Sequence, residues 1–476
     1  MNLNNLLKIN YLLEKEIVER KTAEEKTVKL IYNDELTGLP NRRYFNDFIT
    51  RHINAVNGKN KYFAIMFLNL DNFKLINYTY GHQKGDALLQ EFCLRIKNVI
   101  HEDSMFARVS GDDFLLLIED LDKSIDLEKI ELLSNKVMSV FKEPFLISDK
   151  ENFMSVSMGV VFYPNDGRDT ETLIRNADIA LYEAKQMGKN NIQICTPEMK
   201  VKVIERAKLR NNLYRALEKK ELFIYYQPQV DLNLNKIVGF EALLRWKPNK
   251  GSFVSPAEFI PLAEETGLIV RIGYWVIKTA CQKLKKWHNS GFDNLSMAIN
   301  LSCNQLSAKN FTNTVANILK EVELEPSFLE FEITERIMLK GIEENIRVIE
   351  ELKDMGIKIS IDDFGTEYSS FMNIKMISVD KIKIAMEFVQ GICKNNKDAA
   401  IINSIIKLSH DLKVKVIAEG IETIEQLEYL RSIKCDEVQG YYYYKPMSDI
   451  EIEDALAKES SRKHLYKVRQ SLFAHN

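Results

Sequence analysis

The sequence predicts an α/β protein with two units, a mixed α/β unit followed by a barrel of alternating strands and helices. Three observations predict it. Across the second half, short apolar runs end one after another in acidic or amide side chains, about 20 to 60 residues apart, as strands and helices repeating around a barrel require. Across the first half, strand-like and helix-like stretches alternate without that repeat. Between them lies a charged helical stretch suited to a linker. At 476 residues the chain is long enough for two or three domains with ample core.

Taken in order, residues 1–30 read as a helix, with Leu6, Leu7, Leu13, Ile17 and Leu30 in loosely heptad spacing among Glu and Lys. It reads either as a coiled coil that pairs two chains or as a surface helix. The first domain, 31–197, has helical stretches at Asn41–Val56, Gly85–Val99, Leu127–Phe141 and Thr170–Met187. Its strands are Tyr62–Leu70 and Phe153–Phe162, with a hairpin over Phe106–Ile118. A linker helix is expected over 198–220 and the barrel over 206–457. The tail, 458–476, with Arg462, Lys463, Lys467 and Arg469, reads as a solvated end.

Apolar runs of four to eight residues read as buried strands. In the barrel half, Ile237–Phe240 leads to Glu241, Leu295–Ile299 to Asn300, and Leu329–Phe331 meets Glu332. Ile357–Ile361 leads to Asp362 and Asp363, Val379–Ile384 carries Lys383, Val414–Ala418 leads to Glu419, and Val438 to Gln439. Strand ends of a parallel barrel open on one face, so these groups converge, and several uncompensated acids in one pocket call for a cation.

Hydrophobic content of 45%, charged content of 28% and a net charge of −3 are ordinary for a globular protein. They offer no case for a polymeric nucleic acid or a membrane surface as partner. Apolar stretches such as Phe63–Leu68 are too short to span a bilayer, and the first residues hold no signal-peptide core, so a cytoplasmic location is expected. Six cysteines without paired spacing read as reduced thiols. Seven scattered histidines argue against zinc, so a metal here is a hard cation held by oxygen.

The block Glu241-Ala242-Leu243-Leu244-Arg245-Trp246 resembles the signature of the EAL family of cyclic di-GMP phosphodiesterases. Tyr226-Gln227-Pro228, Asn300-Leu301-Ser302, Glu332-Ile333-Thr334-Glu335, Asp362-Asp363-Phe364-Gly365, Ala418-Glu419-Gly420-Ile421-Glu422 and Gln439-Gly440-Tyr441 match further family blocks in the family's order. The resemblance implies a TIM-like (β/α)8 barrel that hydrolyses cyclic di-GMP to pGpG with two Mg2+ or Mn2+ ions and is inhibited by calcium. It implies that Glu241, Asn300, Glu332 and Asp362 ligate metal, with Asp362 bridging the pair and Asp363 serving the second ion. Lys383 would sit beside the attacking water, Glu419 would hold Lys383 or the second metal, and Gln439 would help fix the water. Gln227 and Arg245 would contact substrate, while Glu335 and Glu422 would brace the loop and the ligands. Glu241, Lys383, Glu419, Asp363 and Glu335 form the expected catalytic set, and Gln227, Arg245, Gln439 and Glu422 the substrate-binding set. Two departures stand out. Glu367 replaces a glycine in Thr366-Glu367-Tyr368-Ser369-Ser370, and Ala385 replaces an acid after Lys383. The rival reading they raise is a cyclic di-GMP receptor with weak or no turnover.

In the first half, Asp34-Glu35-Leu36-Thr37-Gly38-Leu39-Pro40-Asn41-Arg42 resembles the opening of a GGDEF, or diguanylate cyclase, domain of palm-type α/β fold. Asp71-Asn72-Phe73-Lys74, Tyr80-Gly81-His82-Gln83-Lys84-Gly85-Asp86 and Ala177-Asp178-Ile179-Ala180 match its later blocks. The signature itself is degraded to Ser110-Gly111-Asp112-Asp113-Phe114, and a metal-binding Asp of the family is replaced by Asn69. His101 and Ser104 occupy its product-inhibition site. Cyclase activity is therefore not expected. Asn77, Asp86, Gly111, Asp112 and Lys185 would still bind GTP, as a regulator of the barrel, the alternative being a spacer that has lost all ligand binding. The family also implies a homodimer.

Overall fold

The computed structural model describes residues 29–59, 61–101, 104–122, 124–248, 251–335, 342–365 and 378–458, together with 15, 16 and 20. The expectations for Leu6, Leu7, Leu13, Ile17, Glu367 and the C-terminal tail beyond 458 lie outside these residues. Two compact units divide between Ala207 and Lys208, within the helix Pro197–Leu213. That helix stops at Leu213 and turns follow to Lys220, which shortens the expected linker helix.

The first unit is built on β1 (Tyr62–Leu70), β2 (Phe106–Ser110), β3 (Asp113–Leu121), a small hairpin of β4 (Phe145–Ile147) and β5 (Lys150–Asn152), β6 (Val156–Tyr163) and β7 (Ile192–Ile194). The main sheet has the order β2-β3-β1-β6-β7, with β1 central and antiparallel to both neighbours. β1 is apolar on both faces because each face has its own core. Ala64, Met66 and Leu68 pack with Leu88, Phe92 and Phe114, while Phe63, Ile65 and Phe67 pack with Phe45, Ile49 and Leu181. This is the period-2 alternation of a strand covered by helices on both sides.

Helix starts follow from capping residues. Asn41 and Asp169 accept the backbone N–H groups of Tyr44 and Thr172 at 3.1 and 2.8 Å, opening the helices Arg42–Val56 and Thr170–Gln186. An unexpected helix, Phe73–Tyr80, begins after Asn72, which adopts a left-handed φ of 61°. β6 begins three residues later than expected, leaving Phe153 exposed.

The second unit is a closed barrel formed by β8 (Leu222–Asp231), β9 (Lys236–Trp246), β10 (Ser296–Leu301), β11 (Leu329–Thr334), β12 (Lys358–Phe364), β13 (Lys381–Ile384), β14 (Lys415–Glu419) and β15 (Glu437–Gln439). The order around the barrel is β10-β11-β12-β13-β14-β15-β8-β9. β8 runs antiparallel to both β9 and β15, and every other pairing is parallel. The barrel is therefore TIM-like with one reversed strand, because β8 and β9 are joined by a short turn with no room for a crossover helix.

The alternation within strands separates two environments. Tyr226 and Phe240 face outward onto Trp287 of the helix Leu268–Asn289, with ring centroids 5.1 and 4.8 Å apart. Their neighbours Gln227 and Glu241, which pair across β8 and β9, face the interior. Glu241 and Glu332 thus lie within strands, inside the barrel, and not at strand exits as the sequence suggested, and Lys383, carried within its strand as expected, faces the same interior. Two residues further in, Lys381 forms a second buried layer. Its Nζ lies 3.0 Å from Glu330 Oε2, 2.8 Å from Glu437 Oε2 and 3.4 Å from Gln229 Oε1. Burial alone would lower the Lys381 pKa, but the two carboxylates outweigh it and hold the ammonium charged.

Two substitutions probe the two units separately, because all three tryptophans (Trp246, Trp275 and Trp287) lie in the barrel. A Cβ at Gly159 would lie 2.2 Å from the Ala177 carbonyl oxygen and from the Leu181 nitrogen, so only glycine lets the helix Thr170–Gln186 sit this close to β6. Gly159→Val should destabilise the first unit by about 3 kcal/mol in urea, read by circular dichroism, with the tryptophan fluorescence transition unmoved. Lys381→Met leaves buried Glu330 without its lysine and Glu437 with Lys415 alone, and should lower the fluorescence transition by about 3–5 kcal/mol.

Candidate active site

The upper layer of the barrel interior converges on Lys383 Nζ. It lies 2.6 Å from Glu419 Oε1, 2.7 Å from Glu332 Oε2, 2.9 Å from Asp362 Oδ1 and 3.6 Å from Glu241 Oε2. Five different strands supply these groups, and Lys383 is only 1% exposed. The default expectation for a lysine near a strand end, a side chain reaching to solvent, does not hold.

One ammonium cannot balance four carboxylates. Burial pushes the Glu332 carboxyl well above the usual range, and the Glu241 charge adds to it against the opposing pull of Lys383. The Glu419 carboxyl is pushed up to about 8, first by burial, then by Asp362 and Glu241, against the pull of Lys383. Asp363 is raised by burial and by adjacent Asp362. Lys383 is held charged by the same acids, which outweigh the effect of its burial.

Glu241 is oriented from both sides. Its Oε1 accepts from Asn300 Nδ2 at 2.7 Å and its Oε2 from Gln439 Nε2 at 2.5 Å. Gln439 Nε2 also lies 3.2 Å from Gln227 Oε1, and Gln227 Nε2 donates to the Tyr444 carbonyl at 3.2 Å. A chain of amides thus runs from the backbone at Tyr444 to the Glu241 carboxylate.

Consecutive residues of a regular strand point to opposite faces, yet Asp362 and Asp363 both offer oxygens to one cluster. The pairing of β12 with β13 shifts by one residue between Ile361 and Phe364, and Asp363 takes a left-handed φ of 52°. This bulge re-aims the second acid, at the backbone cost common at functional sites. Asp362, Asp363 and Glu419 offer oxygens that all lie within 4.8 Å of one another. Glu335 Oε1 accepts the Gly365 N–H at 3.1 Å and so holds the chain leaving the bulge.

The donor set is all oxygen, apart from the lysine. Among the described residues, Glu332 Oε1 and Gln439 Oε1 are buried without a hydrogen-bond partner. Orphaned buried oxygens beside surplus negative charge fit a hard divalent cation. A cavity of about 780 Å³ opens beside Asn300, Glu335, Asp362 and Asp363, and Arg245 lines it. Arg245 Nη1 donates to the Leu244 carbonyl at 2.9 Å, and its guanidinium lies 5.7 Å from the Tyr225 ring centroid.

Glu422 does not join the cluster. It is exposed, and the contact seen is from its backbone N–H to Gln426 Oε1 at 2.8 Å. Gln426 is the residue that braces this turn: it also accepts from Thr423 N and donates to the Val389 carbonyl at 3.2 Å. The spacing Thr423-x-x-Gln426 is a capping box and could have been read from sequence. The Lys381 layer was also missed, since nothing local distinguishes its charges from solvated ones.

In the first unit, Asn77 Oδ1 is buried against Gly85 and Asp86 is exposed. Gly111 turns the β2–β3 hairpin at φ 52° and its carbonyl accepts from Arg108 Nε at 2.9 Å. Asp112 accepts from Asn69, and burial raises the Asp113 and Asp178 carboxyls, against the pull of the Asn69 hydrogen bond on the first and of the Lys185 charge on both. All six cysteines are free, and four of them are buried.

Residues 31–191 match the diguanylate cyclase, GGDEF domain family, and residues 210–446 match the EAL domain family. The chain is 36% identical over 425 residues to the bifunctional diguanylate cyclase/cyclic di-GMP phosphodiesterase MucR of Pseudomonas aeruginosa, which is 89% of this chain and 62% of that protein. It is 36% identical over 423 residues to the cyclic di-GMP phosphodiesterase NbdA of the same organism, 89% of this chain and 54% of that one. The chain therefore spans little more than half the length of these curated relatives. A solved structure of the MucR phosphodiesterase in complex with cyclic di-GMP is 38% identical, with a TM-score of 0.50, covering 52% of this chain and 99% of that one. With both domain families matched in this order and the acid cluster inside a closed barrel, the chain belongs to the tandem GGDEF–EAL family.

Proposed function

We propose that the second unit is a phosphodiesterase that opens cyclic di-GMP to pGpG with two divalent cations, Mg2+ or Mn2+. The observation that carries this reading is the ring of Glu241, Glu332, Asp362 and Glu419 around one buried lysine. Phosphodiester hydrolysis needs positive charge beside an anionic phosphorus, and this site has anionic ligands in excess. The cyclic di-GMP complex of the MucR phosphodiesterase supports the choice of substrate.

Glu241, Asn300, Glu332 and Asp362 would hold one cation, and Asp362, Asp363 and Glu419 the other. Bound together, such a pair supplies charge at the phosphate and a hydroxide at neutral pH. The protein's own part is positional. The amide chain from Tyr444 through Gln227 and Gln439 fixes Glu241, and Asn300 completes its hold while keeping a carbonyl oxygen available. Lys383, pinned by Glu332 and Glu419, places an ammonium where negative charge gathers on the attacking oxygen. Glu335 keeps the Asp362–Asp363 bulge closed through Gly365. Arg245 presents a planar fork suited to a phosphate at the cavity wall.

We further propose that the first unit is a GGDEF domain without cyclase activity that binds GTP and tunes the barrel. Pairing of two copies is expected from the family resemblance.

Incubation with cyclic di-GMP and Mn2+ followed by chromatography should yield pGpG. Glu241→Ala should lower that turnover by at least about 100-fold with an unchanged circular dichroism spectrum. Absence of pGpG with tight binding intact would make the barrel a receptor.

A pH dependence follows from Glu419. Unfolded, a glutamate titrates near 4.3, whereas in the folded, metal-free chain this one titrates at about 8. Between those values the folded state keeps a proton that the unfolded chain has lost, so this contribution to stability falls as pH rises from about 5 to 8. The chelated protein should melt at progressively lower temperature across that window, less steeply for Glu419→Gln. Added Mn2+ should flatten the slope, because cations displace those protons. Equal slopes in the two chelated proteins would contradict the assignment.

A further inference from the structure

The GGDEF fold implies divalent ions at the end of β1 and the β2–β3 turn, and the residues present there do not fit one. Asn69, the last but one residue of β1, pairs directly with Asp113 of β3 and is 7% exposed. Its Nδ2 donates to Asp112 Oδ2 at 2.9 Å and to Asp113 Oδ1 at 2.7 Å. An amide NH2 has two hydrogens, and here each goes to a different carboxylate. Turning the amide over would set its oxygen against two carboxylate oxygens, so electrostatics alone selects this orientation.

The neighbouring acid is committed as well. Asp71 accepts from Ser155 Oγ and Ser157 Oγ, each at 2.7 Å, and from the Asn190 N–H at 3.0 Å. From the other side Arg108 closes the hairpin, with Nε on the Gly111 carbonyl at 2.9 Å and Nη1 on Asp34 Oδ1 at 2.8 Å. Three acids meet at this end of the sheet, Asp71 with three donors from the protein and Asp112 and Asp113 with one Asn69 N–H each. The contrast with the barrel is direct: there one lysine faces four carboxylates and oxygens are left orphaned.

We propose that the first unit works without a divalent cation, the Asn69 amide standing between Asp112 and Asp113 where the fold would otherwise place an ion. The acid pair is then a structural clasp on the hairpin. A nucleoside triphosphate reaching this unit finds both acids of the pair already bonded to the Asn69 amide, so it is held through its base and through cationic side chains, with no metal bridge. This last consequence rests on the GTP reading above; the ion-free clasp does not.

The test counts ions on the full chain. Mn2+ bound at saturation, measured by electron paramagnetic resonance of the free ion, should be the same for the wild type and for the double variant Asp112→Asn/Asp113→Asn. Asn69→Asp should bind one further Mn2+ per chain, and should melt below the wild type in chelator because three carboxylates then face one another. A loss of Mn2+ in the double variant would overturn the proposal, and so would an unchanged count in a folded Asn69→Asp. Should Asn69→Asp fail to fold, the double variant decides alone. GTP titrated calorimetrically with Mg2+ and with EDTA should bind equally well in both, and loss of binding in EDTA would overturn the metal-free mode. No binding in either would remove the GTP reading, with the Mn2+ count still deciding the clasp.

Discussion

One ammonium buried among four carboxylates is the constraint on which the barrel's chemistry depends. Burying an unpaired charge costs several kcal/mol even after relaxation, and here the closed sheet brings the acids together regardless. Protons on Glu332 and Glu419 are one way to meet it, the direction in which burial moves both carboxyls. Cations are the other way to meet it. The same imbalance that raises these carboxyls makes them a ligand set for hard metals, so ion binding and proton release are two aspects of one electrostatic fact.

Placement of that imbalance follows from the barrel's two interior layers. Lys381 sits two residues below Lys383 on one strand, Glu330 two below Glu332, and Glu437 two below Gln439. The lower layer pairs its lysine with two carboxylates and is shut away from solvent. The upper layer has more acids than its lysine can serve and lies next to the cavity. Each layer thus has its own lysine in a different part, Lys381 as a filler of the floor and Lys383 as a fixed charge in the site. The bulge at Asp362–Asp363 and the reversed strand β8 complete the arrangement. The bulge turns a second acid toward the mouth, and β8 brings Gln227 opposite Glu241.

The two units handle convergent acids in opposite ways. In the barrel the surplus is left open beside a cavity. In the first unit an amide bonds Asp112 and Asp113, serines bond Asp71, and Arg108 ties the hairpin to Asp34. Substituting Asn for Asp at position 69 keeps the shape of the side chain, replaces an acceptor by a donor and so converts a gap that needs an ion into one that needs none. The wider packing around β1 is indifferent to that exchange, since Ala64, Met66 and Leu68 are buried whatever stands at the strand's end.

The sequence by itself determined the two-unit α/β class, most strands within a few residues, and the identity of the convergent acids. Apolar runs of strand length must be buried, and the period of their side chains assigns their faces without reference to distant residues. β8 escaped that reading because Pro228 interrupts it and its side chains alternate in character, although Leu222–Tyr226 carried the strand-forming residues. Tertiary structure alone decided that Glu241 and Glu332 point into the barrel, that Lys383 is ringed, and that Glu422 stays outside while Gln426 braces its turn. It also decided that Asn69 clasps two acids. Each of these depends on which strands close against each other and in what register, and electrostatic coupling between residues some 50 to 200 positions apart leaves no trace in local pattern.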